Sequence, residues 1–280
     1  MIVGIDLGTT NSLVGVYQDG QVKLVPNAFG EFLTPSVVAL DDNDEIIVGK
    51  IAKECLVTHS DKTVSQFKRF MGTKHDLRLG NRTYKAEELS SFVIRKLVDD
   101  AETYLGEKVD EVIVSVPAYF NDAQRYATKL AGKFAGVKID RIINEPSAAA
   151  LAKSSMSHQE DQSFIVVDFG GGTLDISVVE LFDNIVEIVS IAGDNRLGGE
   201  DFTAAIAEEF LVFNQLTKES ISREFYSKIL VQAENTKLDL NDKEEVKMTV
   251  MDQEQEYTLD LSYQRFYELC QPLLARVKAV

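Results

Sequence analysis

The stretch IVGIDLGTTNSLVGVY, residues 2–17, decides the fold of this 280-residue chain. An apolar run over Ile2–Ile5 leads into a polar turn over Asp6–Ser12, and a second apolar run follows over Leu13–Tyr17. This order of residues predicts a strand, a tight turn and a second strand. Because Gly and Thr dominate the turn, its backbone N–H groups and hydroxyls are available to bind an anion.

A second copy of this pattern lies much later in the chain. Phe164–Val167 is an apolar run that leads into Asp168–Asp175, with the sequence DFGGGTLD, and Ile176–Val179 follows as another apolar run. Two copies of one strand–turn–strand unit at so long a separation predict two related lobes rather than a short-period solenoid.

The two turns together predict a phosphate site. One Asp-x-Gly-Thr turn alone is more typical of a hairpin with a capping Asp, but two equivalent copies favour a clamp on a triphosphate. Asp6 and Asp168 each stand at the end of a strand beside such a turn. Because Mg²⁺ keeps much of its hydration shell in proteins, these two carboxylates are predicted to hold Mg²⁺ through water.

Strands and helices alternate between the two turns, which predicts α/β layers with parallel strand pairs. Asn121 and Gln124 have the spacing of a helix capping box, and Pro146 suits the first turn of a helix. The predicted elements are a helix over 87–105, a strand over 112–116 that ends at Pro117, a helix from 121 to about 135, a strand over 137–143 and a helix that starts at 144–146.

The polar stretch Ser154–Gln162 is the predicted boundary between the lobes, which places lobe I at residues 1–155 and lobe II at residues 156–280. Beyond it, the predicted elements are strands to about residue 191, a helix that opens at 198–201, a helix over 225–240, a hairpin of 246–250 with 257–261, and one helical stretch over 263–280.

Two further side chains are candidates for chemistry. Glu145 stands where a predicted strand ends and a helix begins, so it should point to the carboxyl edge of the sheet, where ligands bind in open α/β sheets. It suits a carboxylate that activates water, and it equally suits an ordinary N-cap. Lys68 could offset charge on a γ-phosphate, although surface lysines are common.

Composition excludes several other classes of protein. A formal net charge of −16 disfavours nucleic acid and anionic membranes as partners. Cys55 and Cys270 have no zinc-site spacing, and the chain carries no P-loop, G-x-G-x-x-G, H-E-x-x-H or G-x-S-x-G motif. Without a signal peptide or an apolar run long enough to span a membrane, a cytoplasmic location is expected.

Taken together, these segments resemble the heat-shock-70 (DnaK-type) chaperone family over nearly the whole chain. The motifs that carry the resemblance are Gly4–Ser12, Thr34–Ser36, Phe67–Arg69, Val116–Arg125, Ile143–Ala150, Asp168–Asp175, Gly193–Asn195 and Leu197–Phe202. Leu33–Ser36, Arg78–Gly80 and Glu88–Ser91 are most similar to the bacterial HscC branch of that family.

The resemblance implies an actin-like, ribonuclease-H-like ATPase fold with two lobes, each a mixed sheet flanked by helices. It implies ATP hydrolysis, with ATP or ADP and Mg²⁺ as cofactors and K⁺ as a further candidate ion. The implied catalytic residues are Asp6, Lys68, Glu145, Asp168 and Thr173. The implied nucleotide-binding residues are Gly8, Thr9, Thr10, Asn11, Gly170, Gly171, Gly172, Thr173, Asp175, Gly198, Gly199, Glu234, Lys237 and Asn241.

Pro117 and Arg125 resemble the family's relay between nucleotide state and peptide-binding domain; without the resemblance they are a strand stop and a solvated helix Arg. The implied partners, acting through the full-length protein, are a J-domain co-chaperone and unfolded peptide clients. Leu238 stands where many members have Arg, and Asn241 where many have Ser. The family's Gly-Gly adenosine motif, closing helix, linker and peptide-binding domain are not found before Val280, so lobe II is expected to be incomplete.

Three alternatives remain at this point. A small-molecule kinase on the same fold would transfer phosphate to an acceptor instead of hydrolysing ATP. A folded fragment that has lost nucleotide binding would use the chain only for interactions. An actin-like filament protein fits less well, because the motifs between the two turns are closer to those of chaperones.

Overall fold

The computed structural model describes residues 1–154, 162–182 and 185–280. Its strands are β1 (Ile2–Asp6), β2 (Asn11–Gln18), β3 (Gln21–Leu24), β4 (Thr34–Pro35), β5 (Val37–Leu40), β6 (Ile46–Val48), β7 (Thr63–Ser65), β8 (Leu77–Leu79), β9 (Arg82–Tyr84), β10 (Glu111–Val116), β11 (Lys138–Asn144), β12 (Gln162–Phe169), β13 (Leu174–Phe182), β14 (Ile185–Asp194), β15 (Glu245–Asp252) and β16 (Gln255–Ser262).

The helices in the same ranges are α1 (Lys50–Thr58), α2 (Ala86–Leu105), α3 (Asp122–Phe134), α4 (Glu145–Ser154), α5 (Gly199–Phe213), α6 (Arg223–Asp239), α7 (Tyr263–Leu269) and α8 (Gln271–Ala279). Of two short 3₁₀ turns in the first half of the chain, Ser60–Lys62 lies between α1 and β7, and Phe67–Phe70 lies between β7 and β8. No helix in the described ranges has the length and apolar character that crossing a bilayer requires.

The largest sheet belongs to the N-terminal half, by which we mean residues 1–154. Its strand order is β11-β10-β1-β2-β3, with β4 paired to β2. β1 runs antiparallel to β2 but parallel to β10, and β10 runs parallel to β11. Parallel strands end at the same edge of a sheet. The sheet is therefore mixed, and the ends of β1, β10 and β11 bring Asp6, Ser115 and Asn144 to one edge.

Burial alternates along β1 as the period of a half-buried strand requires. Val3 and Ile5 are buried, whereas Gly4 and Asp6 are exposed. The buried face packs with α2 and α3, whose apolar side chains join the same hydrophobic cluster. The helix predicted over 87–105 is confirmed as α2, and the strand predicted over 112–116 is confirmed within β10.

The capping box predicted at the start of α3 is confirmed. Asn121 Oδ1 accepts from the Gln124 backbone N–H at 3.0 Å, and Gln124 Oε1 accepts from the Asn121 N–H at 3.0 Å. The two side chains thereby satisfy two donors that a helix leaves unpaired at its N-terminus. This fixes the point at which the chain leaves β10 and turns back over the sheet.

The C-terminal half, here residues 162–182 and 185–280, has its own core. β12, β13 and β14 form an antiparallel sheet, and β15 pairs with β16 as the predicted hairpin. Phe210, Phe225 and Ile229 are fully buried between α5, α6 and this hairpin. The predicted helix over 225–240 is confirmed as α6 with a shift of two residues at its start.

The single helical stretch predicted over 263–280 is wrong in one respect. The structure has two helices, α7 and α8, that meet at Cys270, and Pro272 lies in the first turn of α8. Proline lacks the N–H that a continuous helix needs at this point, and it is favoured where a helix begins. The lobe boundary predicted over Ser154–Gln162 falls almost entirely outside the described residues, so it stays a prediction.

Replacing Asn121 by Ala should destabilise the protein, because the Gln124 N–H would lose its acceptor at the start of α3. We expect the free energy of unfolding to fall by about 1 kcal/mol. Urea denaturation followed by circular dichroism measures this change. Asn121→Asp is the matched control, since its carboxylate can accept the same bond. Equal stability of the Ala variant and the parent would contradict the role of the cap.

Candidate active site

The first turn, Leu7–Thr10, joins β1 to β2 and is braced by Ser12 and Ser36. The Gly8 N–H donates to Ser12 Oγ at 3.1 Å, and Ser36 Oγ donates to the Gly8 carbonyl at 2.8 Å. The Ser36 N–H also donates to the Thr10 carbonyl at 2.8 Å. A Cβ atom at Gly8 would lie only 2.0 Å from the Asn11 carbonyl oxygen, so this turn cannot close with any other residue there.

The second turn, Gly170–Thr173, joins β12 to β13 in the same way. The Gly170 N–H donates to the Thr173 carbonyl at 3.0 Å and closes the turn. The start of α5 docks on it, because the N–H groups of Gly199 and Glu200 donate to the carbonyls of Gly170 and Gly171. The N-terminus of α5 therefore lies against the second turn, where a helix N-terminus favours negative charge.

The structure brings the two turns into direct contact. A Cβ atom at Gly171 would lie 1.9 Å from Thr10 Oγ1, and one at Gly172 would lie 2.9 Å from Thr9 Cγ2. A Cβ atom at Gly198 would in turn lie 2.4 Å from the backbone of the second turn. The glycines thus permit three backbone segments to approach one another, and Thr9 and Thr10 are held opposite Gly171 and Gly172.

Asp6 and Asp168 stand beside these turns as the two acidic groups predicted to hold Mg²⁺. Ser115 Oγ donates to Asp6 Oδ1 at 3.0 Å. Desolvation, followed by the negative charge of Asp6, raises the pKa of Asp168. Carboxylate oxygens are the ligands that Mg²⁺ prefers, and a cation would relieve the repulsion between them. The described ranges hold no group of three or more His, Cys, Asp or Glu that could hold a metal ion.

Lys68 and Glu145 form a buried ion pair at the same edge of the sheet. Lys68 Nζ lies 3.1 Å from Glu145 Oε1, and the Lys68 side chain is only 8% exposed. Burial raises the pKa of Glu145; the charge of Lys68 lowers it, and the charges of Asp6 and Asp168 raise it. Glu145 follows β11 directly, as predicted, and its side chain is engaged by a lysine 77 positions away.

Behind this pair lies a cavity of about 190 Å³ whose lining includes Pro117, Glu145, Asp168 and Asp175. Asp175 is 8% exposed, and its Oδ2 atom has no hydrogen-bond partner among the described residues. Burial, followed by the charge of Glu145, raises the pKa of Asp175 to about 7. The nearby Thr173 hydroxyl lowers the pKa of Asp175 and of Tyr119, but burial outweighs it and raises the pKa of Tyr119.

Arg125 connects the loop after β10 to the end of β11. Its Nε atom donates to the Phe120 carbonyl at 2.9 Å, and its Nη2 atom donates to Asn144 Oδ1 at 2.8 Å. Asn144 immediately precedes Glu145, and Pro117 lines the cavity that Glu145 shares. Of the two residues predicted to form a relay, Arg125 therefore bonds the residue before Glu145, and Pro117 lines the same cavity as Glu145.

The other predicted nucleotide residues divide into two groups. Lys237 Nζ donates to the Gly199 carbonyl at 2.9 Å and to Glu234 Oε2 at 2.6 Å, and Thr203 Oγ1 bonds both side chains. This network joins α6 to the start of α5 beside the second turn. Asn241, in contrast, is exposed and lies beyond the C-terminal end of α6.

The sequence predicted no role at the site for Arg69, Glu200 or Asp201, although each belongs to a quoted motif. Arg69 Nη2 donates to the Gly172 carbonyl at 3.0 Å and to Asp201 Oδ2 at 3.3 Å. Thr10 Oγ1 donates to Glu200 Oε1 at 3.1 Å. These bonds join residues that are more than a hundred positions apart, so no local pattern could have revealed them.

The comparisons with known proteins agree with this geometry. The model of the Hsp70 protein family matches residues 2–79 and 76–280. The chaperone protein DnaK of Thermotoga neapolitana is 42% identical over 254 residues, which covers 89% of this chain and 42% of that relative. The chain therefore spans about two fifths of the length of this curated relative. On the family match and this identity, the chain belongs to the Hsp70 family.

Proposed function

We propose that this chain is the ATP-binding and ATP-hydrolysing module of an Hsp70-type chaperone. The observation that carries the proposal is the meeting of two Asp-Gly-Thr turns, one from each half of the chain, beside the buried Lys68–Glu145 pair. Membership of the Hsp70 family supports the same activity. The curated relative is named as a chaperone protein.

In this proposal the phosphates of the nucleotide lie against both turns, where the two turns meet. Backbone N–H groups of the turns, including that of Thr10, and the hydroxyls of Thr9 and Thr173 would bind the phosphate oxygens, because such turns present several donors to one anion. The network of Glu234, Lys237 and Gly199 would take the ribose side, since it lies next to the second turn. Asn241 remains a weaker candidate for the base.

Hydrolysis requires a polarised phosphate and an oriented water molecule. Lys68 would hold positive charge near the γ-phosphate, which stabilises the negative charge of the transition state. Glu145 would accept a proton from water or orient it, and its raised pKa brings it closer to the range in which a carboxylate is an effective base. Because the pair is buried, both charges act with little screening by solvent.

Magnesium fits the carboxylates of Asp6 and Asp168, and when bound it would neutralise charge on the phosphate oxygens. Ser115 would hold the Asp6 carboxylate in place through its hydrogen bond to Oδ1. Asp175, with an unpaired buried oxygen, would support the water network of the adjoining cavity. K⁺ is a further candidate ion near these carboxylates.

Coupling to other parts of the chaperone would run through Pro117 and Arg125. Arg125 hydrogen-bonds both the loop after Pro117 and Asn144, so a shift of Glu145 on hydrolysis would move that loop. A J-domain co-chaperone, peptide clients, a cytoplasmic location and the HscC branch also belong to the proposal. They rest on family membership and on the sequence motifs alone.

The proposal is tested by calorimetric titration of the chain with ADP and ATP in the presence of Mg²⁺. Asp168→Asn should weaken binding by at least about tenfold, because the site loses a charge that holds the cation. Asp260→Asn, on the exposed side of the β15–β16 hairpin, is the matched control and should leave binding unchanged. A parent chain that binds neither nucleotide would refute the proposal.

A second prediction concerns the first turn. Gly8→Ala should abolish nucleotide binding, because the added methyl group would lie 2.0 Å from the Asn11 carbonyl oxygen and the turn would open. Gly4→Ala is its control, since a Cβ atom there meets nothing closer than 4.0 Å. Thermal unfolding of both variants should be measured beside the titration. Undiminished binding by folded Gly8→Ala would contradict the assignment of this turn.

A third prediction separates hydrolysis from binding. Lys68→Ala should lower the single-turnover rate of ATP hydrolysis by about 100-fold, because charge on the γ-phosphate loses its partner. ADP affinity should change little. Lys129→Ala, on the exposed face of α3, serves as the control. Transfer of phosphate to a small acceptor, with no hydrolysis, would instead support a small-molecule kinase.

A further inference from the structure

Two side-chain contacts join the halves of the chain directly beside the phosphate turns. In one, Arg69 from the N-terminal half reaches Gly172 and Asp201 of the C-terminal half. In the other, the Thr10 hydroxyl donates to Glu200. We propose that these contacts form a latch, made of Thr10, Arg69, Glu200 and Asp201, that keeps the two turns together and limits the rate at which nucleotide leaves. The part concerning release rests on the proposed function.

The N-terminal side of the latch is rigid. Arg69 lies in the 3₁₀ turn Phe67–Phe70, and the side chain of Phe67 is buried in the core of the N-terminal half. Its neighbour Lys68 is fixed by the buried pair with Glu145. Because its backbone is anchored in this way, the Arg69 side chain can bond the C-terminal half only when the two turns are close together.

The C-terminal side is equally fixed. Asp201 Oδ2 accepts from the Gly198 N–H at 2.8 Å, and the Glu200 N–H donates to the Gly171 carbonyl at 2.9 Å. Both latch carboxylates therefore move with the second turn and the start of α5. Any separation of the two turns must break the Arg69 and Thr10 contacts.

The latch differs from an ordinary surface ion pair. The side chains of Arg69 and Asp201 are 19% and 26% exposed, and Arg69 Nε is buried without a partner among the described residues. Partly buried, charge-assisted hydrogen bonds are stronger than exposed ones, whose contribution is small.

The glycine opposite Arg69 is consistent with this role. A Cβ atom at Gly172 would lie 2.7 Å from Arg69 Nε and 3.2 Å from Arg69 Nη2. The guanidinium group thus occupies the space that a side chain would need, and its approach to the Gly172 carbonyl depends on the absence of one. Arg69 is therefore a positioning residue for the second turn, distinct from the residues proposed to contact the reacting phosphate.

The first experiment measures the separation of the halves without nucleotide. Nitroxide labels are placed at Lys53→Cys in α1 and Glu254→Cys between β15 and β16, with Cys55→Ser and Cys270→Ala to remove native thiols. Double electron–electron resonance should give a broader distribution at longer distances for Arg69→Ala than for the labelled parent. An unchanged distribution in a folded Arg69→Ala protein would overturn the latch.

The second experiment measures release of a fluorescent ADP analogue by stopped flow. Arg69→Ala should raise the dissociation rate about tenfold while the association rate changes less than threefold, because the latch acts only after the halves have closed. Arg78→Ala, which removes an exposed arginine whose Nε donates to the Gly80 carbonyl between β8 and β9, is the matched control. Dissociation within twofold of the parent, in a chain that binds ADP, would also overturn the proposal.

Conservative variants separate the latch from general loss of structure. Glu200→Gln keeps an acceptor for the Thr10 hydroxyl and should release ADP at nearly the parent rate, whereas Glu200→Ala should release it faster. Asp201→Asn keeps an acceptor for the Gly198 N–H but loses its charge, so it replaces Arg69→Ala if that variant fails to fold. If the parent does not bind ADP, the proposed function fails, and the label distances alone decide whether the latch exists.

Discussion

Close contact between backbone segments is the constraint on which the rest of this structure depends. Three segments, the turn after β1, the turn after β12 and the start of α5, meet at distances that leave no space for a Cβ atom at Gly8, Gly171 or Gly198. Glycine loses more conformational entropy on folding than other residues, but it is required here because any side chain would prevent the approach. Once the segments are in place, the strands that lead into them bring Asp6 and Asp168 to the same region.

Several positively charged side chains lie near the two turns, although the molecule as a whole is strongly negative. The chain carries a formal net charge of −16, yet the 3₁₀ turn Phe67–Phe70 brings Lys68 and Arg69, and α6 brings Lys237, to the neighbourhood of the two turns. Each is bonded to a carboxylate, whereas the Asp175 carboxyl keeps one oxygen with no partner among the described residues. The buried pair of Lys68 and Glu145 is costly to assemble and costly to break, which suits it to a position where geometry matters more than net stability.

Much of the architecture could be predicted from the sequence because it is written in local patterns. The hairpin around Gly8, the capping box of Asn121 and the position of Glu145 after a strand each follow from a few neighbouring residues. The roles of Arg69 and Glu200 could not, since their partners are separated from them by more than a hundred positions and come together only through packing. The break at Cys270 does not follow from the apolar spacing over 263–280, because that spacing continues through Pro272, which lies in the first turn of a new helix.

The pairing of β1 with β10 has a consequence for synthesis of the chain. β1 is made before its parallel partner β10, and the two are separated in sequence by β2 to β9, α1 and α2. Contacts between segments so distant in sequence form slowly, because a long loop must close before the pairing gains any energy. On the ribosome, the hairpin of β1 and β2 must therefore wait with one strand edge unpaired until β10 emerges. An unpaired edge is a site for association with other chains, so this interval is the stage of folding at which the protein most needs protection.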